Sequence, residues 1–154
     1  MIVFIFIIVG VIVVELIMKR KAEEKLETGR VIDCKPAPIK IQKLHNYGMA
    51  NSILKSKPQI VKVIGVAIMA VLVIGFILLL PLKGRTGLKI AFALIIGGGL
   101  SNLIDRFLKG YVTDYFSFQS PFQRLNRLVF NISDMCIFIG AVIGVLAEAM
   151  RGVE

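Results

Sequence analysis

The amino-acid sequence predicts an all-α membrane protein with four transmembrane helices and a small extramembrane β element between helices 1 and 2. Hydrophobic residues make up 56% of the 154-residue chain, above the roughly 45–50% typical of soluble domains. They are concentrated in four blocks, and a spanning helix needs about 20 mostly apolar residues. We place the helices at about 2–18, 63–82, 90–108 and 128–150, within one integral-membrane domain over residues 1–154.

A soluble protein is the alternative that these blocks disfavour. A core helix of a soluble protein has a polar face that recurs about every 3.6 residues, and the blocks lack one. The first block could instead be a secretory signal peptide. It has no basic segment before its apolar stretch and no small-residue cleavage site at 15–21, so we interpret it as a retained helix.

The segments between the blocks contain strand and turn signals. Helix 1 is predicted to end at the basic cluster 19–21, and a polar stretch follows. Apolar and polar residues alternate over 39–44, which predicts a short half-buried strand. Pro58 precedes helix 2, and Pro81 marks its end. The glycines at 97–99 in helix 3 are predicted to be helix-packing positions, because small residues let helices approach closely in lipid.

The net charge of +9 does not indicate a nucleic-acid-binding protein. Most basic residues lie between positions 19 and 62, where they can contact anionic lipid headgroups, and no aromatic-rich basic motif accompanies them. Cys34 and Cys136 lack metal-site or disulfide spacing and are interpreted as free thiols. His45, the only histidine, is interpreted as a solvated or substrate-rim residue. We therefore expect no metal and no cofactor.

Acidic residues near the apolar blocks are candidates for function, because a charge at the bilayer centre costs about 2.5–3.5 kcal/mol or more. They are Glu15, Asp105, Asp114, Asp134 and Glu148. Glu148 lies in the last turn of helix 4 and is interpreted as interfacial. Asp105 could form a structural ion pair, but adjacent helix residues do not face each other, so we expect it and Arg106 to have other partners. Asn102 shares a face with Arg106, which predicts a polar cluster at the end of helix 3.

Asp114 and Asp134 are the pair whose positions suggest catalysis. The first follows helix 3 and the second opens helix 4, so adjacent antiparallel helices would bring both to one membrane surface. Two carboxylates at hydrogen-bond distance share a proton. The ionised one can then deprotonate a water while the protonated one polarises a peptide carbonyl. A capping role for Asp134 is the alternative, and spacing alone leaves it open.

Three motifs follow one another in the second half of the chain. They are Gly-Gly-Gly-Leu-Ser-Asn-Leu-Ile-Asp-Arg at 97–106, Gly-Tyr-Val-Thr-Asp-Tyr-Phe at 110–116 and Phe-Asn-Ile-Ser-Asp at 130–134. In order and spacing they resemble the motifs of the lipoprotein signal peptidase (signal peptidase II) family. The resemblance implies four transmembrane helices and an aspartate dyad at Asp114 and Asp134. The family's supporting polar positions fall on Asn102, Asp105, Arg106 and Asn131.

The first half of the chain matches that family less closely. The family's Asp-x-x-x-Lys at the end of helix 1 corresponds here to Glu15 and Lys19, which keeps the charges but lengthens the acidic side chain by one methylene. Its Asn-x-Gly-Ala-Ala-Phe motif corresponds to Asn-Tyr-Gly-Met-Ala-Asn at 46–51, so Asn46 and Gly48 match. We expect the other changes to alter lipid or sequence preference.

The resemblance implies an aspartic endopeptidase that removes the signal peptide of a prolipoprotein, cutting on the N-terminal side of a diacylglyceryl-modified cysteine. The expected partners are this substrate and membrane lipids, with no nucleic acid, and we expect a monomer. The lipid chains can stay in the bilayer while the peptide bond meets the dyad, which contributes orientation to catalysis. Asp134, near a helix N-terminus, would be the more readily ionised partner and Asp114 the proton donor.

The charge distribution of the chain and its resemblance to the family predict opposite orientations in the membrane. The family is a multi-pass protein of the bacterial inner (cytoplasmic) membrane, with its active site at the outer surface. Most Lys and Arg residues here lie in 19–62 and 106–127, and the positive-inside rule would place those segments in the cytoplasm. We follow the family, because an inward-facing site would never meet an exported, lipidated cysteine.

Two other function classes are alternatives to a peptidase. The altered segment 46–51 leaves open a catalytically silent relative, or a membrane protein that binds lipidated chains without cleaving them. A small transporter subunit would have charges at helix centres along a path. Here the charges gather at one membrane edge, which disfavours a transporter.

Overall fold

The computed structural model describes residues 1–48, 56–122 and 125–151. Its elements in chain order are α1 (Ile2–Lys25), β1 (Val31–Asp33), β2 (Ile39–Asn46), α2 (Pro58–Leu79), α3 (Thr86–Leu108), β3 (Val112–Phe118), a 3₁₀ turn (Leu125–Arg127) and α4 (Ile132–Arg151). All four helices are long and apolar enough to span a membrane. The predicted fold class is thus confirmed. The differences from the family motif at Met49 and Asn51, which we expect to alter lipid or sequence preference, lie outside the described residues.

The ends of the helices differ from the predicted ones. The predicted end of helix 1 at the basic cluster is wrong, since α1 continues to Lys25. The cluster does not stop it because Lys19 is buried among acidic partners, while Arg20 pairs with Glu24 one turn later at 2.7 Å. α2 begins at Pro58 itself, since the first helical position has no hydrogen bond for a proline to break.

α3 lies at the centre of the bundle and packs against the other three helices. Its three consecutive glycines each face a different neighbour, because successive helical residues point about 100° apart. A Cβ on Gly97 would lie 3.0 Å from Val11 of α1, and one on Gly98 would lie 2.6 Å from the Ser133 carbonyl oxygen of α4. A Cβ on Gly99 would overlap Met69 of α2. The predicted packing role of these glycines is confirmed.

The distribution of polarity is that of a protein in lipid. Large apolar side chains cover the outer helix faces, for example Phe6, Val71 and Val145. The buried polar and charged side chains gather at the end of the bundle that adjoins the sheet. They are Glu15, Lys19, Ser101, Asn102, Asp105, Thr113, Asp114, Ser117, Asn131 and Ser133. Burial of so many polar groups at one end indicates a functional site there.

A three-stranded antiparallel sheet in the order β1-β2-β3 covers this end. The strand predicted at 39–44 is confirmed as β2. The sequence did not predict β3, which comes from the segment between helices 3 and 4 and places Leu44 opposite Asp114. Both faces of β3 are largely covered, so its sequence lacks the alternation that identifies a half-exposed strand. Asp114 therefore lies on a paired strand.

Candidate active site

The first turn of α4 holds Asp134 through a reciprocal pair of hydrogen bonds. The Asn131 side-chain oxygen accepts the Asp134 N–H at 2.9 Å, and Oδ2 of Asp134 accepts the Asn131 N–H at 3.2 Å. This is a capping box, in which two otherwise unpaired N–H groups are satisfied. The other oxygen of Asp134 accepts a hydrogen bond of 3.1 Å from the Asn102 amide. Capping therefore occupies only one of the two carboxylate oxygens.

Asp114 reaches the same site from β3 and is only 2% exposed. Its Oδ1 accepts a hydrogen bond of 2.7 Å from the Asn131 amide, and its Oδ2 accepts one of 3.1 Å from the Asn46 amide. Asn131 thus contacts both aspartates. Each carboxylate is held by neutral donors on both of its oxygens, which fixes its orientation without a direct ion pair.

The two aspartates line one cavity of about 470 Å³, a size typical of sites for organic ligands. Its polar wall consists of Asn46, Asn102, Arg106, Asp114 and Asp134. Its apolar wall consists of Val112, Leu128, Val129, Phe130, Ile137, Phe138 and Ala141. Phe138 is 65% exposed on the outer face of α4, so the cavity has a polar, charged end and an apolar end that adjoins the exposed face of this helix.

The amide groups of Asn131 and Asn46 have only one favourable orientation. The oxygen of Asn131 faces a main-chain N–H, so its NH₂ must face Asp114. The Asn46 oxygen accepts the Gly48 N–H at 3.1 Å, so its NH₂ also faces Asp114. Because each oxygen is already turned toward a group that can only donate, both amides present a donor to Asp114.

A buried ionic cluster lies behind the cavity. The Lys19 ammonium is 3.1 Å from Asp105, 3.5 Å from Glu15 and 2.8 Å from the Asn102 oxygen. Asp105 also pairs with Lys109 at 3.0 Å and accepts the Thr113 N–H at 3.2 Å. Buried charges persist only when paired. The expectation that Asp105 has partners other than Arg106 agrees with these distances.

Arg106 brings a positive charge to the cavity. Its guanidinium donates to the carbonyl oxygens of Asn102 at 3.3 Å and Gly48 at 3.0 Å. Within the described ranges, no carboxylate lies at ion-pair distance from it. Its bond to Gly48 ties the segment that follows β2 to α3. Asn46 and Gly48 are thereby held beside the cavity that the two aspartates line.

The pKa of Asp114 lies far above that of an ordinary aspartate. Burial raises the pKa of this carboxyl to about 7, and the nearby charge of Asp134 adds to the rise. The hydrogen bonds from Asn46 and Asn131 lower the pKa, because they favour the ionised form, but burial outweighs them. Asp114 therefore still holds its proton in a substantial fraction of molecules at neutral pH.

Other predicted residues lie outside the cavity. His45 is partly exposed, with its Nε2 3.0 Å from Glu23 and its ring stacked on Tyr111 at 4.0 Å between centroids. Glu148 pairs with Arg85 at the opposite end of the bundle. Cys34 and Cys136 are free. In the part of the chain that the structure describes, no group of His, Cys, Asp or Glu has the arrangement of a metal site.

Tyr115 is a residue of the site region that sequence reasoning missed. It is buried beside the dyad, and its hydroxyl contacts Glu15 of α1 and the main chain of Ile132 in α4. An aromatic residue next to a candidate catalytic aspartate is not by itself a signal, because aromatic side chains are common in strands. The two polar contacts of its hydroxyl depend on elements that are distant in sequence.

Comparisons with known proteins identify relatives over nearly the whole chain. The family model described as "Signal peptidase (SPase) II" matches residues 6–150. A lipoprotein signal peptidase of Mesorhizobium japonicum is 34% identical over 92% of this chain and 82% of its own length. One from Lactiplantibacillus plantarum is 31% identical over 95% of both chains, and one from Brucella ovis is 33% identical over 93% of this chain and 87% of its own.

Two solved structures share the fold. Both are described as bacterial membrane enzymes, solved by the in meso method at 2.3 Å and 1.9 Å resolution. The first has a TM-score of 0.82, with 24% identity over 97% of this chain and 89% of its own. The second has a TM-score of 0.77, also with 24% identity, over 94% and 91% of the two chains. At this identity the likeness supports the four-helix architecture.

Proposed function

The chain belongs to the signal peptidase II family, and on that premise we propose that Asp114 and Asp134 are the catalytic dyad of this chain. It is a multi-pass membrane protease that removes signal peptides from lipoproteins. The observation that supports the dyad is that both carboxylates line one cavity and both accept a hydrogen bond from Asn131, Asp114 from its side-chain amide and Asp134 from its main-chain N–H. Of two carboxyl groups placed in this way, one can act as the general acid and the other as the general base.

In the proposed mechanism, Asp134 is ionised and Asp114 is protonated before reaction. The N-terminal end of α4 favours negative charge at Asp134, and the raised pKa of Asp114 favours its protonated form. Asp134 removes a proton from a water whose oxygen forms a bond with the carbonyl carbon. Asp114 gives its proton to the carbonyl oxygen, which yields a tetrahedral diol. No covalent enzyme intermediate forms.

Collapse of the diol completes the reaction and restores both acids. The carbon–nitrogen bond breaks while Asp134 passes its proton to the departing amine. A diol hydroxyl returns a proton to Asp114, and the new carboxyl group leaves with the signal peptide. Arg106 lines the same cavity, and we propose that its charge orients the substrate main chain. Asn102, Asn131 and Asn46 hold the two carboxylates, while Glu15, Lys19 and Asp105 support Asn102 from behind.

The proposed substrate is a diacylglyceryl-modified prolipoprotein, cut on the N-terminal side of the lipidated cysteine. The separate polar and apolar walls of the cavity support this substrate, because the apolar wall continues onto the exposed face of α4 at Phe138 and Ala141. Acyl chains can follow that face into the bilayer while the peptide bond stays near the dyad. Binding without cleavage, the alternative, is not favoured, since the curated relatives are named as peptidases.

The proposed location is the bacterial cytoplasmic membrane, with the dyad at the outer surface, where an exported substrate arrives. We further propose that one chain is sufficient for catalysis. Donors from Asn46, Asn102 and Asn131 already occupy both oxygens of each carboxylate. No contribution from a second copy is needed to complete the geometry.

Cleavage of a purified diacylglyceryl-modified peptide in detergent tests the dyad. Asp114→Asn and Asp134→Asn each keep the size of the side chain but remove its acid–base function, so we expect turnover to fall by at least about 10³-fold. Asp33→Asn in β1 is the matched control, because this aspartate is exposed and remote from the cavity. Retained turnover in either dyad variant, at normal yield of inserted protein, would refute the assignment.

A further inference from the structure

Tyr115 lies next to Asp114 on β3, but its side chain points to the other side of the strand. It is buried, with 5% exposure. Its hydroxyl oxygen lies 2.8 Å from Oε2 of Glu15 in α1 and 3.1 Å from the main-chain nitrogen of Ile132 in α4. The side chain therefore joins three elements, of which two provide the catalytic aspartates.

The direction of each of these hydrogen bonds is determined by chemistry. The Ile132 N–H can only donate, so the phenol oxygen accepts from it. The phenol proton is then free to be donated to the Glu15 carboxylate. Burial raises the pKa of the Tyr115 phenol well above its usual range, and the neighbouring Glu15 charge raises it further. The phenol thus remains a donor at every pH at which the enzyme would be assayed.

Ile132 is the first helical residue of α4, and its N–H is one of the donors that a helix leaves unpaired at its start. The capping box between Asn131 and Asp134 satisfies two neighbouring N–H groups. Tyr115 satisfies that of Ile132. A second link runs through the main chain, where the Tyr115 N–H donates to the Phe130 carbonyl at 2.9 Å. One residue therefore connects the strand of Asp114 to the helix turn of Asp134.

The length of Glu15 matters to this arrangement. Its Oε2 accepts from the phenol while its Oε1 lies 3.5 Å from Lys19. An aspartate at this position would be shorter by one methylene, about 1.5 Å, and could not keep both contacts from the same backbone position. Glu15 and Tyr115 consequently act as one unit, in which the carboxylate fixes the phenol and the phenol fixes the start of α4.

We propose that Tyr115 is a positioning residue, whose hydroxyl, held by Glu15, sets the separation of Asp114 and Asp134. This inference rests on the proposed dyad. Loss of the hydroxyl would remove the side-chain link between β3 and the first turn of α4 and leave only the main-chain bonds to Phe130, so the first turn could shift where the two aspartates approach. The ring of Tyr115 would still fill its place, since only the polar contact is removed.

The test is Tyr115→Phe, assayed by cleavage of the diacylglyceryl-modified peptide over a range of pH. We expect kcat to fall by about 10- to 100-fold while KM stays within about twofold, because the substrate contacts remain. We also expect the alkaline limb of the kcat profile to move to lower pH. Greater separation weakens the repulsion by Asp134 that helps to raise the pKa of Asp114. Tyr47→Phe, at an exposed tyrosine outside the cavity, is the matched control.

Glu15→Asp provides a second variant in case Tyr115→Phe fails to insert or fold. It keeps the charge beside Lys19 but shortens the reach to the phenol, so we expect the same shift of the alkaline limb. The double variant should be no more impaired than the worse single variant, since both changes remove one hydrogen bond. An unchanged kcat and pH profile in Tyr115→Phe, or a fall in kcat without the pH shift, would overturn the inference. If Asp114→Asn and Asp134→Asn retained turnover in the same assay, the proposed dyad itself would fail.

Discussion

The ammonium group of Lys19 donates a hydrogen bond of 2.8 Å to the side-chain oxygen of Asn102, a residue 83 positions later in the chain. This contact decides which end of the Asn102 amide faces the cavity. With its oxygen turned to Lys19, its NH₂ group donates to Asp134 at 3.1 Å. A fully buried lysine therefore acts on the dyad through an amide, and it also offsets the charges of Glu15 and Asp105.

The first prediction concerns this lysine. Lys19→Met should destabilise the protein by about 3–5 kcal/mol, because it leaves buried carboxylates without their counter-ion. Unfolding by denaturant titration in detergent micelles would measure the loss. Lys21→Met is the control, since Lys21 is exposed on the same helix. Equal stability of the two variants would contradict a central role for the Lys19 cluster.

The second prediction concerns pH. Because the pKa of Asp114 is raised to about 7, and the mechanism needs this acid protonated, kcat should fall as pH rises above about 7, by about tenfold per unit. The Asn46 amide lowers that pKa by its hydrogen bond to the ionised form. Asn46→Ala should therefore move the alkaline limb to higher pH. A limb that stays in place or moves to lower pH would argue against Asp114 as the proton donor.

The third prediction concerns the contact between α3 and α4. A Cβ on Gly98 would lie 2.6 Å from the Ser133 carbonyl oxygen, next to Asp134. Gly98→Ala should force the helices apart at the dyad, with a loss of about 1–3 kcal/mol in stability and of most activity. Gly10→Ala in α1 meets nothing within 4 Å and should be neutral or slightly stabilising. Thermal melts and peptide cleavage would compare the two, and equal behaviour would contradict the close packing.

The fourth prediction concerns orientation. The proposed outward-facing site places Cys34, which lies just after β1, outside the cell. A membrane-impermeant maleimide should label it in intact cells, and Cys34→Ser should abolish that labelling. Labelling that appears only after the cells are lysed would instead support the orientation that the charge distribution favours.

Much of the fold is encoded locally and was predictable from the sequence. The four spans follow from the length and composition of apolar blocks, and β2 follows from alternation over a few residues. The packing role of the glycines at 97–99 follows from their size alone. The end of α1 was less predictable, because it depends on a buried ionic cluster in which Lys19 pairs with Asp105 of another helix.

The candidate site was likewise predictable from the sequence only in part. The positions of Asp114 and Asp134, together with the polar residues around them, were identified from motifs in the sequence. The structure adds that a capping role and a place in the cavity are compatible for Asp134, because the two roles use different oxygens. The environment of His45 could not be foreseen, since Glu23 becomes its partner only when α1 extends beyond the predicted end.

By itself, the sequence determined that this protein spans a membrane four times and has two aspartates where helices 3 and 4 meet. Only the tertiary structure decided that Asp114 lies on a third strand, that each neighbouring amide turns its NH₂ to a carboxylate, and that Tyr115 joins α1, β3 and α4. The physical reason is the separation along the sequence of the residues that interact. Hydrophobic length and periodicity are properties of consecutive residues, whereas strand pairing and the direction of a hydrogen bond depend on partners that only folding brings together.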